Sequence, residues 1–185
     1  MKHGNEPVEW LMGQVALGKR EFLAPLVRRY ASPLLTYIQR MIGDRHRAEE
    51  LFQEVFWRVW TKRKLYRFPK SFKAWLFAIA GNYCRSDFRK KRLTSVSFDE
   101  PEFVASSDAT PTPLEAAIDT ETATLVASAV GELPHQQRTV VVLRVWNGLS
   151  YAEIAEIVGR KEATVRSNMH HGLAAMRKYL EPRLA

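Results

Sequence analysis

The 185 residues suffice for one large domain or two small ones, and the supply of Leu, Val, Ile, Phe and Trp is that of a chain with packed cores rather than a disordered tail. A net charge of +8 favours a polyanionic partner, while a single cysteine, Cys84, excludes an internal disulfide or a thiolate-rich zinc site and suits a reducing compartment. The opening Met1-Lys2-His3-Gly4-Asn5-Glu6 has no apolar signal segment, and runs such as Val140-Val141-Val142-Leu143 are far too short to span a bilayer, so a cytoplasmic chain without membrane insertion is expected.

The first half reads as successive helices. A short one covers 10–17 and a longer one 22–42, with Pro25 tolerable near its start and Pro33 predicting a kink or break. Gly43-Asp44 then makes a turn in which Asp44 suits an N-cap. Over 45–64, Ala48, Leu51, Phe52, Val55, Val59 and Trp60 recur at the three-and-four spacing of an amphipathic helix, so that face is core. The opposite face presents Glu50, Gln53, Glu54 and Trp57. An exposed tryptophan beside carboxylates marks a partner surface rather than a merely solvated one.

The segment 62–70 is rich in bases and aromatics, among them Tyr66, Arg67 and Phe68, and Ser71 can cap the helix predicted over 72–92. One stripe of that helix is Phe72, Leu76, Ile79, Ala80 and Tyr83. A second is Trp75, Ala78, Asn82, Arg85 and Arg89. The second stripe offers an aromatic plane, an amide able to address a base edge and guanidiniums for phosphate, the parts of a single-strand pocket. The same pattern also accommodates a core Trp75 with solvated arginines. The adjacent run Arg89-Lys90-Lys91-Arg92 favours nucleic acid.

Charge changes sharply beyond this helix. Residues 1–95 hold 20 Lys/Arg against 8 Asp/Glu, giving +12; residues 96–125 hold 7 Asp/Glu and no base, giving −7; residues 126–185 hold 8 against 5, giving +3. Two basic blocks joined by an acidic strip suit two surfaces for a polyanion and a connector that does not adhere to it. With Pro101, Ser106, Ser107, Asp108, Pro111 and Pro113, the strip also has the composition of a linker. Helical pattern resumes at Leu114 and runs to about Val130.

The second half carries a sharper signal. Ser150 and Glu153 form a capping box at the start of a short helix over 151–158. Gly159 supplies a tight turn, and a second helix follows over 162–180. Small Ala155, Gly159 and Val165 are spaced as a helix-turn-helix requires. On the second helix Val165, Met169, Leu173, Met176 and Leu180 are expected in the core. Ala163, Arg166, Ser167, His170 and His171 form the outer face, suited to the major groove, where arginine reads guanine and a small residue permits close approach. The paired histidines lack a further Cys, His or carboxylate at ligand spacing, so no metal and no cofactor are expected.

These motifs, in this order, resemble the extracytoplasmic-function group of sigma factors in the sigma-70 family of bacterial RNA polymerase. Residues 48–56, Ala-Glu-Glu-Leu-Phe-Gln-Glu-Val-Phe, resemble its polymerase-binding helix in region two, and 72–82, from Phe72 to Asn82, its promoter-melting helix. Leu133-Pro134, Arg138, Gly148-Leu149-Ser150, Glu153-Ile154-Ala155 and Ala163-Thr164-Val165-Arg166-Ser167-Asn168-Met169-His170 resemble its region four. The resemblance implies an all-α fold of two small helical domains: a region-two bundle over 1–95, an acidic flexible linker over 96–118 and a region-four helix-turn-helix over 119–185. It implies a non-enzymatic initiation factor that binds core RNA polymerase, at the beta-prime clamp helices and the beta flap, and directs promoter recognition and strand opening. Glu50, Gln53, Glu54 and Trp57 would meet polymerase. Tyr66, Arg67, Phe68, Trp75, Asn82, Arg85 and Arg89 would meet the minus-ten element, and Ala163, Thr164, Arg166, Ser167, His170 and His171 the minus-thirty-five element. A nucleoid-associated location and an anti-sigma partner follow from the same resemblance.

Several positions depart from that pattern. Glu50 stands where Asp is usual, Gly81 where a larger residue precedes the Asn, and Ser86 where Asp is common, with Asp87 displaced by one. Lys161 replaces a Ser cap and His171 a frequent Arg. These bear on promoter sequence rather than class. A response-regulator-type factor would share the helix-turn-helix but leave the Gln53 and Trp75 helices unexplained. An enzyme acting on nucleic acid would need a metal cluster, phosphate loop or nucleophile-base pair, none of which is visible.

Overall fold

The computed structural model describes residues 6–95 and 120–184, with the side chains of 6–90 and 121–184. The expected linker over 96–118, the opening residues 1–5 and the side chains of Lys91 and Arg92 lie outside that description. The described elements are helical: α1 Val8–Ala16, α2 Leu23–Ile42, α3 Arg45–Thr61, α4 Phe72–Ser95, α5 Thr120–Gly131, α6 His135–Val145, α7 Tyr151–Val158 and α8 Glu162–Leu184, with single 3-10 turns at Arg20–Phe22 and Arg63–Leu65. No described helix is long and apolar enough to cross a membrane.

Local chemistry sets the boundaries. Gly43 ends α2 in the left-handed region at φ 74°, and Asp44 caps α3 by accepting the Arg47 amide at 3.0 Å. Ser71 accepts the Ala74 amide at 3.1 Å and starts α4. Ser150 and Glu153 complete their capping box, and Gly159, at φ 63°, makes the turn into α8. Pro33 does not break α2, which continues through it to Ile42. A proline removes one helical hydrogen bond, and here the buried Leu26, Leu34, Tyr37, Ile38 and Met41 hold the helix by tertiary packing instead.

Helices α1 to α4 bury Leu11, Val15, Leu26, Ile38, Leu51, Val55, Phe72, Leu76 and Phe77 among themselves. In the second half, α8 approaches α6 so closely at Gly172 that a Cβ there would lie 2.8 Å from Val141 Cγ2. Val165, Met169 and Met176 are buried as the spacing predicts, whereas Leu173 is exposed. The close backbone approach turns Gly172 inward, and position 173 is carried to the solvent side.

The two halves share one continuous apolar cluster. Polar contacts stitch the same boundary. Arg138, 3% exposed, donates to the Met41 carbonyl at 2.9 Å, to the carbonyls of Gly131 and Leu133, and lies over the Phe88 ring. Asn147 donates to the Pro33 carbonyl, Arg40 stacks on Trp146, and Lys73 pairs with Glu153 at 2.8 Å.

Candidate nucleic-acid interface

The segment 62–70 and the exposed side of α4 form one end of the site. Arg67 and Phe68 are exposed, the latter at 63%. Tyr66 is not: its ring packs edge-on to Phe72 and tilts against Trp75, while its hydroxyl donates to the Lys70 carbonyl. Tyr66, expected among the minus-ten contacts, is instead the brace under the loop, and Phe68 is the exposed ring of the segment. Burial first, and Glu9 second, push its phenol up to about 12, so it stays a neutral donor.

Trp75 is half-buried, with Tyr66 behind it and a cleft of about 450 Å³ in front. Trp75 and Asn82 line that cleft, and so do Arg58, Lys62, Leu65, Ile79, Tyr83 and Ser86. Trp75, readable from the sequence either as a stacking plane or as a core residue, contacts the core and lines the cleft together. Arg85 and Arg89 are exposed farther along α4. Sequence reasoning missed Arg58 and Lys62; their signal is the i,i+4 spacing that sets one cation in the last turn of α3 and the other at its C-cap, both lining the cleft beside α4. The cleft combines an aromatic plane, an amide and two cations, which suits an unpaired base with its phosphate.

At the other end, Ala163, Thr164, Arg166, Ser167, His170 and His171 are all exposed on α8. Arg166 is already oriented: its guanidinium donates to Glu162 Oε1 and lies 4.4 Å from the centre of the Tyr151 ring. Arg144 covers the same ring at 5.0 Å and donates to the Leu149 carbonyl, so Tyr151 organises cations from two helices. His170 and His171 stack edge to face. Among the described residues no three His, Cys, Asp or Glu side chains gather as a metal site.

On α3, Gln53 and Glu50 are exposed, Glu54 is half-buried, and Trp57 stands 68% exposed. Glu50 and Glu54 both accept from Arg47. This surface lies on the helix that also supplies Arg58 to the cleft.

The sigma-70 region 2 family model matches residues 26–94, and the sigma-70 region 4 model matches 124–176. The chain is 28% identical over 182 residues to the ECF RNA polymerase sigma factor SigW of Bacillus subtilis, covering 90% of this chain and 93% of that protein. It is 34% identical over 158 residues to the ECF sigma factor SigE of Mycolicibacterium smegmatis, covering 84% of this chain and 60% of that one. Among solved structures, CnrH in complex with the cytosolic domain of CnrY superposes with a TM-score of 0.71 at 22% identity, over 94% of this chain and 97% of that one. The Bartonella quintana sigma factor RpoE, in complex with the anti-sigma factor NepR, gives 0.69 at 22% identity, over 84% and 94%.

Proposed function

The chain belongs to the extracytoplasmic-function group of the sigma-70 family, a sigma factor that directs promoter recognition by RNA polymerase, and from that premise we propose how its surfaces divide the work. Residues 1–95 act as region two. Glu50, Gln53, Glu54 and Trp57 meet the clamp helices of core polymerase, and Trp75, Asn82, Arg67, Phe68, Arg85 and Arg89 engage the minus-ten element, with Tyr66 supporting the loop from within. Residues 119–185 act as region four, with Ala163, Thr164, Arg166, Ser167, His170 and His171 on the minus-thirty-five element and the flap held elsewhere on this half. The acidic segment 96–118 connects them.

The observation that carries this reading is the cleft beside Trp75 and Asn82. Taking a base out of the stack costs a few kcal/mol, and a pocket offering stacking, an amide and cations offsets that cost only for unpaired DNA. Arg58 and Lys62 join the proposed minus-ten surface on this ground. The chain supplies no catalytic group in this scheme; polymerase performs the chemistry. It works in the cytoplasm at the nucleoid, and an anti-sigma protein restrains it, a reading that the complex of RpoE with the anti-sigma factor NepR supports.

The test is permanganate footprinting of holoenzyme on a promoter. Asn82→Ala should reduce strand opening while sparing binding to duplex minus-thirty-five DNA. Normal opening in that variant would remove the cleft from the minus-ten site.

A further inference from the structure

Arg47 lies beneath the acidic face of α3, in its first turn, with its backbone amide held by Asp44. Its guanidinium is shared by three carboxylates on two helices. Nε donates to Asp87 Oδ1 on α4 at 2.7 Å; Nη1 donates to Glu50 Oε2 at 2.7 Å and to Glu54 Oε1 at 3.2 Å. The three differ in depth, the side chains of Asp87, Glu54 and Glu50 being 8%, 42% and 62% exposed. A buried carboxylate needs a counter-ion, whereas exposed ones gain little from theirs and exchange partners readily. Only arginine's planar fork can serve all three sites at once; a lysine ammonium is a point charge. Its hydrogen bonds to Glu50 and then to Asp87 raise the guanidinium's pKa further, so it remains a cation.

We propose that Arg47 is a positioning residue that couples polymerase docking to the promoter-melting helix: it orients Glu50 and Glu54 on the outer face of α3 and, through Asp87, sets the placement of α4. Asp87 lies five positions after Asn82 on the same helix, so the Arg47–Asp87 bond fixes the part of α4 that lines the cleft. Nη1 is divided between two carboxylates. A cationic surface arriving on Glu50 and Glu54 draws them from Nη1, and the guanidinium then acts more fully on Asp87. Arg45, bonded to Glu49, and exposed His46 flank the cluster from the same turn. Three carboxylates around one guanidinium leave an excess of negative charge to receive such a partner. The inference rests on the assignment of Glu50 and Glu54 to the polymerase surface.

The test uses the full chain and core polymerase. Core affinity is read by fluorescence anisotropy, strand opening by permanganate reactivity at saturating core, and fold by circular dichroism. Arg47→Lys preserves the buried charge pair but not the fork. It should weaken core binding by about tenfold, the scale of one charged hydrogen bond, and should also reduce opening severalfold once polymerase is saturating, which mere destabilisation of a still-folded chain does not do. Asp87→Asn should reduce opening with core affinity near the parent's, and the double variant should open no worse than the poorer single one. Parent-like opening by saturated Arg47→Lys holoenzyme, or losses that multiply in the double variant, would overturn the coupling. If Asp87→Asn fails to fold, Arg47→Lys decides alone. Unchanged core affinity in Glu50→Gln/Glu54→Gln would instead sink the polymerase surface itself, whereas impaired affinity there with normal opening in Arg47→Lys rejects only the coupling.

Discussion

Asn147, in the turn after α6, donates its side-chain amide to the Pro33 carbonyl in the middle of α2, 2.8 Å away. The bond joins the second half of the molecule to the first, alongside Arg138 on Met41 and Lys73 on Glu153. A folded chain of this length is roughly 30–40 Å across, while minus-ten and minus-thirty-five elements lie about 25 base pairs apart, roughly 85 Å at 3.4 Å per pair. On the proposed assignment of the two DNA surfaces the packed arrangement is too short to span both, and we predict that the halves separate when the promoter is engaged. Asn147→Ala should loosen the closed form: small-angle scattering should show a larger radius of gyration with helicity unchanged. A radius equal to the parent's would show that Asn147 does not hold the boundary.

The same boundary should respond to acid. His135 opens α6, packs edge-on to Phe88 and is held down to about 4 by burial first, then by Arg85 and Arg138. A helix N-terminus adds to the penalty on its cation. In the open form His135 titrates near its ordinary value of about 6.5. Between pH 6.5 and 4 the open form therefore binds a proton that the closed form refuses, and falling pH favours opening across that window. Glu153 acts in the same direction lower down. The hydrogen bond from Lys73, then those from Ser150, hold its carboxyl to about 2; the Ser150 bonds belong to the α7 cap and persist in either form, so only the Lys73 part of the shift favours closure, and it is lost as pH falls towards 2. Energy transfer between labels on α3 and α8 should fall from pH 6.5 to 4 in the parent and stay level there in His135→Phe. An identical fall in both would assign the response to other groups.

Gly172 offers a stability test. Alanine there gains up to about 1 kcal/mol of helix propensity, but its Cβ would meet Val141 Cγ2 at 2.8 Å. Overpacking costs about 1–3 kcal/mol, so Gly172→Ala should lower the melting temperature, and Val141→Ala placed in that background should recover part of the loss. A raised melting temperature for Gly172→Ala would mean that α6 and α8 can part without cost.

What was legible in the sequence was what local chemistry dictates. Asp44, Ser71, Ser150 with Glu153, and Gly159 each bring their partner within three or four residues, so the helix starts and the helix-turn-helix could be read directly. The packing of the two halves could not. Arg138 and Asn147 look like surface residues, and their acceptors, the Met41 and Pro33 carbonyls, lie 97 and 114 positions away. Tyr66 failed for a related reason, because nothing nearby in sequence shows that Phe72 and Trp75 enclose it. Leu173 fits the helical period, yet the close contact of Gly172 with α6 takes the inward place. At the cleft, Trp75 and Asn82 were legible from their stripe on α4, while Arg58 and Lys62 arrive from the C-terminal end of a different helix.

Trp57 should act as an anchor for polymerase. It is 68% exposed, so truncation leaves no cavity and surface changes shift stability by less than about 0.5 kcal/mol. Tryptophans that anchor interfaces cost about 2 kcal/mol or more when removed. Trp57→Ala should thus weaken core association by about thirtyfold with nearly unchanged thermal unfolding. Parent-like affinity would move the contact to another face.

Arg166 lies on the outer face of α8, the proposed recognition helix. Its guanidinium is held between Glu162 and the Tyr151 ring, and its side chain is 60% exposed, so truncation leaves Val165 and Met169 packed as before. The ion pair with Glu162 is a surface i,i+4 pair worth about 0.3–0.5 kcal/mol, too weak to hold the guanidinium from a base. If Arg166 addresses a guanine edge bidentately, Arg166→Ala costs about 1–3 kcal/mol and relaxes preference at one minus-thirty-five position. A phosphate contact would behave differently, weakening all sequences about equally and lowering the salt slope by roughly one. We expect the base-specific pattern, because the Tyr151 stack fixes the plane of the fork as bidentate reading requires. Glu162→Gln should then bind the preferred site as well as the parent or slightly better, having released a competing carboxylate. The measurement is a titration of parent and variant holoenzymes against single-base changes across the minus-thirty-five element at two salt concentrations. Equal affinity of Arg166→Ala and parent for the best site would remove Arg166 from the reader, and a uniform loss with a reduced salt slope would assign it to the phosphates.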